Sequence, residues 1–149
     1  MSVKKSTNLK RVTIHNLKKS DTIERPVVNE DIAAGFPSPA EDFKEVRISL
    51  DKELVKNEDA TFYARVRGNS MIDANIEDGD LLVIDRSIET RNGKIAVCMI
   101  DGEFTIKRLK VDKKCVYLMP ENKDYKPIKV TEENELIIWG IVTYVIKKV

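Results

Sequence analysis

The chain has 149 residues, of which 42% are hydrophobic and 34% charged, the balance of one globular domain with a modest core. Lys and Arg number 26 against 25 Asp and Glu, so the formal charge of +1 supplies no bulk field toward nucleic acid or an anionic membrane. The single histidine, His15, lies in a polar N-terminal stretch, which argues against a Ser-His-Asp triad, a Cys-His pair or a zinc site built with Cys98 and Cys115.

Residues 1–44 read as an extended or poorly ordered arm. They show no sustained 3.6-residue apolar period, only short β-branched runs at 12–14 and 27–28, and Pro26, Pro37 and Pro39 disfavour helix before themselves. Up to Ala34 the arm holds seven Lys/Arg and four Asp/Glu, a net +3, which leaves about −2 on residues 35–149. It is a solvated tail or a nucleic-acid contact, and it is too short and too weakly patterned for a helix-turn-helix domain.

Residues 45–149 read as a β-rich domain. A short helix is expected at 51–57 with Asp51 as its N-cap. Short β-branched or aromatic runs at 46–50, 61–67, 81–85, 94–100, 103–109, 115–119 and 136–146 predict strands. Asp101-Gly102 between two of them is a hairpin signal, and Asn92-Gly93 and Asp78-Gly79-Asp80 mark further turns. The expected fold is mainly β, a curled antiparallel sheet or barrel-like sandwich. The apolar segment near the C-terminus, 137–146, is a buried core strand, an edge that pairs with a second copy, or both.

No apolar run approaches the roughly 18 to 20 residues that span a bilayer, and the basic N-terminus lacks the apolar stretch of a signal peptide. Two cysteines cannot build a disulfide framework, so a reducing cytoplasm is the expected compartment. No cofactor or metal is expected.

Three local features carry chemistry. Arg67-Gly68-Asn69-Ser70-Met71 follows a strand, and a serine at such a glycine corner suits a nucleophile beside backbone N–H groups, or merely caps a turn. Lys107, in Glu103-Phe104-Thr105-Ile106-Lys107-Arg108-Leu109, shares a strand face with Thr105 and Leu109. It is a solvated strand lysine or a partly desolvated amine. At the ordinary lysine pKa only about one amine in a thousand is neutral near pH 7.4, whereas a drop to about 8 gives roughly one in five, enough for a general base. Ala33-Ala34-Gly35-Phe36-Pro37 offers a sterically minimal Ala34-Gly35 bond that could enter a narrow cleft, or is an ordinary linker.

In order and separation these stretches resemble the self-cleaving serine–lysine peptidases of the LexA type, most closely the UmuD subgroup. The likeness is carried by Ala34-Gly35-Phe36-Pro37-Ser38-Pro39-Ala40, Gly68-Asn69-Ser70-Met71-Ile72-Asp73, Asp78-Gly79-Asp80-Leu81-Leu82 and Asp101-Gly102-Glu103-Phe104-Thr105-Ile106-Lys107, and covers about residues 34–149. Asn69 stands where relatives often carry another residue, and residues 1–30 match nothing in the family. The resemblance implies a fold like the LexA/UmuD C-terminal domain. It makes Ser70 the nucleophile on the Ala34 carbonyl, Lys107 the general base, and the backbone N–H groups of Ser70 and Met71 the oxyanion site. It further implies activation by a RecA filament on single-stranded DNA. The trimmed product would act as a homodimer, as accessory subunit to a UmuC-like Y-family polymerase in error-prone lesion bypass, with no sequence-specific DNA binding of its own. Two alternatives stand beside it: a LexA-like or phage-type repressor without its DNA-binding domain, and a non-catalytic β module.

Overall fold

The structure is a computed structural model that describes residues 12–16 (main chain only), 23–27, 32, 34, 35 and 46–149. The rest of the 1–44 arm, including the Phe-Pro-Ser-Pro-Ala stretch at 36–40, lies outside the described residues. The chain forms two compact units, residues 18–56 and residues 1–17 with 57–149.

In the smaller unit, β2 (Glu24–Val27) pairs antiparallel with β3 (Val46–Ser49), matching Glu24 to Ser49 and Val27 to Val46. The Arg47 guanidinium donates to the Glu24 carbonyl at 3.2 Å. β3 runs directly into α1 (Leu50–Leu54), a single turn. The expected cap at Asp51 is displaced for that reason: the extended residue before the helix is Ser49, whose side chain makes no capping bond. Asp51 instead lies in the first turn, where a carboxylate favours the helix dipole.

The larger unit is one curled antiparallel sheet of eight strands. Its strands are β1 (Val12–Asn16), β4 (Thr61–Val66), β5 (Leu81–Asp85), β6 (Ile95–Ile100), β7 (Glu103–Val111), β8 (Val116–Met119), β9 (Ile128–Val130) and β10 (Leu136–Ile146). Their order across the sheet is β1-β4-β5-β10-β6-β7-β8-β9. The Asp101-Gly102 hairpin joins β6 to β7 with φ of 49° and 81°, the left-handed pair that a tight two-residue turn demands.

The C-terminal apolar segment lies inside the sheet as β10: residues 136–141 pair with β6 and residues 141–146 with β5, so Ile141 alone is paired on both sides, and Ile137, Tyr144, Val145 and Ile146 stay exposed. Its ladder breaks between Ile138 and Gly140 and again between Val142 and Tyr144. Such bulges bend a strand and increase its twist, which curls the sheet. Apolar side chains pack on both faces. Val66, Met71, Leu82, Ile84, Val97 and Ile106 form one buried cluster, and Ala96, Cys98, Leu109, Leu118 and Ile141 form the other. Strand alternation divides them, sending Val97 and Ile106 to the first and Ala96, Cys98 and Leu109 to the second.

Candidate active site

The loop after β4 carries the serine. Gly68 adopts a φ of 90°, which an L side chain rarely reaches, and its N–H donates to Asp78 Oδ1 at 2.7 Å. The loop closes where Val66 N–H donates to the Asp80 carbonyl at 2.9 Å and Gly79 N–H to the Val66 carbonyl at 2.8 Å. Met71 plugs the corner into the core at 2% exposure, and Ile72–Ala74 form one 3₁₀ turn behind it. Ser70, between this anchor and the glycine, is left half-buried.

β7 supplies the amine. Lys107 pairs across the ladder with Ala96, and the next residue of β6 on the same face is Cys98. This is the face of the second cluster, and Lys107 is only 5% exposed. Its Nζ lies 3.1 Å from Ser70 Oγ, 2.7 Å from Thr105 Oγ1 and 3.0 Å from the Ile106 carbonyl. Burial pushes the neighbouring Cys98 thiol up to about 12, with the Lys107 charge pulling the other way.

Ser70 and Lys107 open onto a cleft of about 200 Å³ lined also by Asn69, Ile100, Phe104, Thr105, Tyr125 and Ile128. Among the described residues, no protein acceptor meets the backbone N–H of Ser70 or Met71. Ala34 and Gly35 belong to the smaller unit, where both are exposed in a bend. Among the described residues, no three His, Cys, Asp or Glu side chains converge on a metal position, and no helix is long and apolar enough to cross a membrane.

The structure therefore brings together the serine and lysine singled out from sequence. It also shows partners that the motif reading did not supply. Thr105 was legible as a neighbour of Lys107 on one strand face, but not as a hydrogen-bond partner of its amine. Nothing in the sequence marks Glu121, whose N–H donates to the Ser70 carbonyl at 2.8 Å and whose carbonyl accepts from Asp73 N–H at 2.7 Å.

Comparison with known proteins supplies the family. A family model described as Peptidase S24-like matches residues 26–143. Protein MucA of Salmonella typhimurium is 43% identical over 121 residues, 80% of this chain and 82% of its own length. Protein ImpA of Shigella flexneri is 38% identical over 134 residues, 86% of this chain and 87% of its own. The LexA repressor of Acidithiobacillus ferrooxidans is 42% identical over 114 residues, covering 74% of this chain but 55% of the repressor. With most of its length matched and a hydroxyl and an amine in contact in the cleft, the chain belongs to the Peptidase S24-like family, as a serine self-cleaving peptidase of the LexA/UmuD type.

Proposed function

We propose that the chain cuts its own Ala34–Gly35 bond with Ser70 as nucleophile and Lys107 as general base, and that the trimmed protein is an accessory subunit of an error-prone lesion-bypass polymerase. The observation that carries the chemistry is the buried contact between Lys107 Nζ and Ser70 Oγ at 3.1 Å. A neutral amine has two N–H donors and one lone pair. The Ile106 carbonyl and Thr105 Oγ1 both offer oxygens to the amine hydrogens, an arrangement that suits a lone pair turned toward the Ser70 hydroxyl. Burial favours this uncharged form over an ammonium.

In the proposed reaction Ser70 Oγ attacks the Ala34 carbonyl carbon as Lys107 takes the hydroxyl proton. The N–H groups of Ser70 and Met71 stabilise the oxyanion. The carbon–nitrogen bond breaks, and Lys107 returns the proton to the Gly35 nitrogen. Water, deprotonated by the same amine, then hydrolyses the Ser70 ester and releases residues 1–34 with a carboxylate at Ala34. No histidine is required.

A tethered bond has a high effective concentration, so the arm must rest mainly outside the cleft. An activator then needs only to favour the docked arm, and a few kcal/mol shifts that population by orders of magnitude. The UmuD-type resemblance supports a RecA filament on single-stranded DNA in that role. It likewise supports a homodimeric product in the cytoplasm that joins a UmuC-like polymerase. The UmuD-like reading has the wider support, since MucA and ImpA match over 82% and 87% of their own length and the LexA repressor over 55%. Incubation near pH 10 followed by mass spectrometry tests the proposal: the expected products end at Ala34 and begin at Gly35, and an uncut chain or a cut elsewhere contradicts it.

A further inference from the structure

Ser70 and Lys107 sit on elements that no ladder joins directly. The serine corner follows β4, the lysine is on β7, and β5, β10 and β6 lie between those strands in the sheet. The spacing of hydroxyl and amine therefore needs another brace, and the segment after β8 provides it. The main chain of Glu121 grips the corner on both sides, donating to the Ser70 carbonyl at 2.8 Å and accepting from Asp73 N–H at 2.7 Å. Next to it, the Asn122 side-chain amide donates to the Asn69 carbonyl at 2.8 Å. The Glu121 carboxylate reaches the other way and pairs with Nε of Arg108, the residue that follows Lys107 in β7. Arg108 is itself held by donation from Nη1 to the Gly93 carbonyl at 2.8 Å.

The ion pair is 38% and 29% exposed at its two side chains, where such pairs add little to stability. Its consequence is geometric. It joins the residue beside the base to the residue that holds the nucleophile's carbonyl. Proton transfer needs heavy atoms within about 2.6–3.2 Å, and the Ser70–Lys107 contact already stands at 3.1 Å. A small slip of the corner would break it.

We infer that Glu121 is a positioning residue of this peptidase: through Arg108 it locks the Ser70 corner to the Lys107 strand. The inference rests on the proposed roles of Ser70 and Lys107. Two measurements on the full chain test it. In the first, self-cleavage is followed against pH. Glu121→Ala is expected to slow it at least about tenfold and to move the midpoint of the pH–rate curve upward, because the amine loses its hydroxyl partner. Glu121→Gln keeps an oxygen for Arg108 and should recover most of the loss. A Glu121→Ala rate within about twofold of wild type overturns the inference. So does a loss with an unchanged midpoint, or a Glu121→Gln variant no better than Glu121→Ala.

The second measurement does not depend on cleavage. In Ser70→Cys, the pH dependence of alkylation at position 70, separated by peptide mapping from Cys98 and Cys115, reports whether Lys107 stands beside the thiol. Its midpoint should lie below the ordinary thiol value of about 8.5. Adding Glu121→Ala should raise it, and adding Glu121→Gln should not. Equal midpoints with and without Glu121→Ala overturn the positioning role. A wild-type chain that cuts no faster than Lys107→Ala sinks the proposed dyad instead, and the thiol measurement then decides the brace by itself.

Discussion

Ser70 and Lys107 stand 37 positions apart in the chain, yet their side chains meet at 3.1 Å. The meeting is buried at the lysine end, where Nζ also touches Thr105 Oγ1 at 2.7 Å and the Ile106 carbonyl at 3.0 Å. An amine held by two oxygens has little freedom to turn its lone pair away from the serine.

That arrangement gives Thr105 a measurable weight. Thr105→Val keeps the side-chain shape and removes the hydroxyl that takes one amine hydrogen. A net hydrogen bond contributes about 0.5–1.5 kcal/mol, so the self-cleavage rate should fall by about two- to twelvefold, and Thr105→Ser should restore it. First-order rates at one alkaline pH compare the three chains. A Thr105→Val rate equal to wild type would mean that the remaining contacts suffice to aim the amine.

The buried thiol beside the site predicts a pH dependence of stability. Cys98 is raised from an ordinary 9.0 to about 12 by burial. Its contribution is thus fully present below pH 9.0 and is lost as pH rises toward 12, because the unfolded chain gives up the proton first. The slope is at most about 1.4 kcal/mol per pH unit. Lys147, raised chiefly by its bond to Asp80, acts in the same sense but only above its ordinary 10.5. Relative to Cys98→Ala, the wild-type urea midpoint should therefore lose ground between pH 8 and pH 10, as about one pH unit above 9 is titrated. Parallel profiles would remove Cys98 as the cause.

Gly140, which pairs with Val97 of β6, packs against side chains of β5 and the residue after it. A Cβ there would stand 2.5 Å from Ile84 Cγ2 and 3.2 Å from Arg86 Cγ. Ile84 is fully buried and cannot step aside without disturbing the first core cluster. Gly140→Ala should destabilise the fold by about 1–3 kcal/mol, read from the urea midpoint. A neutral result would show that the bulge at Trp139 absorbs the methyl group.

Much of this molecule is written locally. Runs such as Leu81–Asp85 and Ile95–Ile100 declare strands by their β-branched side chains, and Asp101-Gly102 declares its hairpin by tolerating positive φ at both residues. Ser70 and Lys107 also read as a turn serine and a solvated strand lysine, and only the order and separation of their stretches, which resemble a known family, set them apart. Features set by distant pairing were not legible. The way β10 divides its pairing, the first half with β6 and the second with β5, is a matter of sheet order, which composition does not encode. β9 is three residues long after Pro127 and carries too little pattern to stand out. Glu121 holds the serine corner through main-chain atoms, and a main-chain contact leaves no residue-type signal.

The pH dependence of self-cleavage, measured side by side in the wild type and Lys107→Ala, tests the catalytic amine most directly. The expected result is a wild-type rate that climbs with pH through one ionisation, releasing residues 1–34, while Lys107→Ala stays uncut at every pH and keeps its β circular-dichroism spectrum. A wild-type rate independent of pH, or a Lys107→Ala chain that cuts at the wild-type rate, would contradict it.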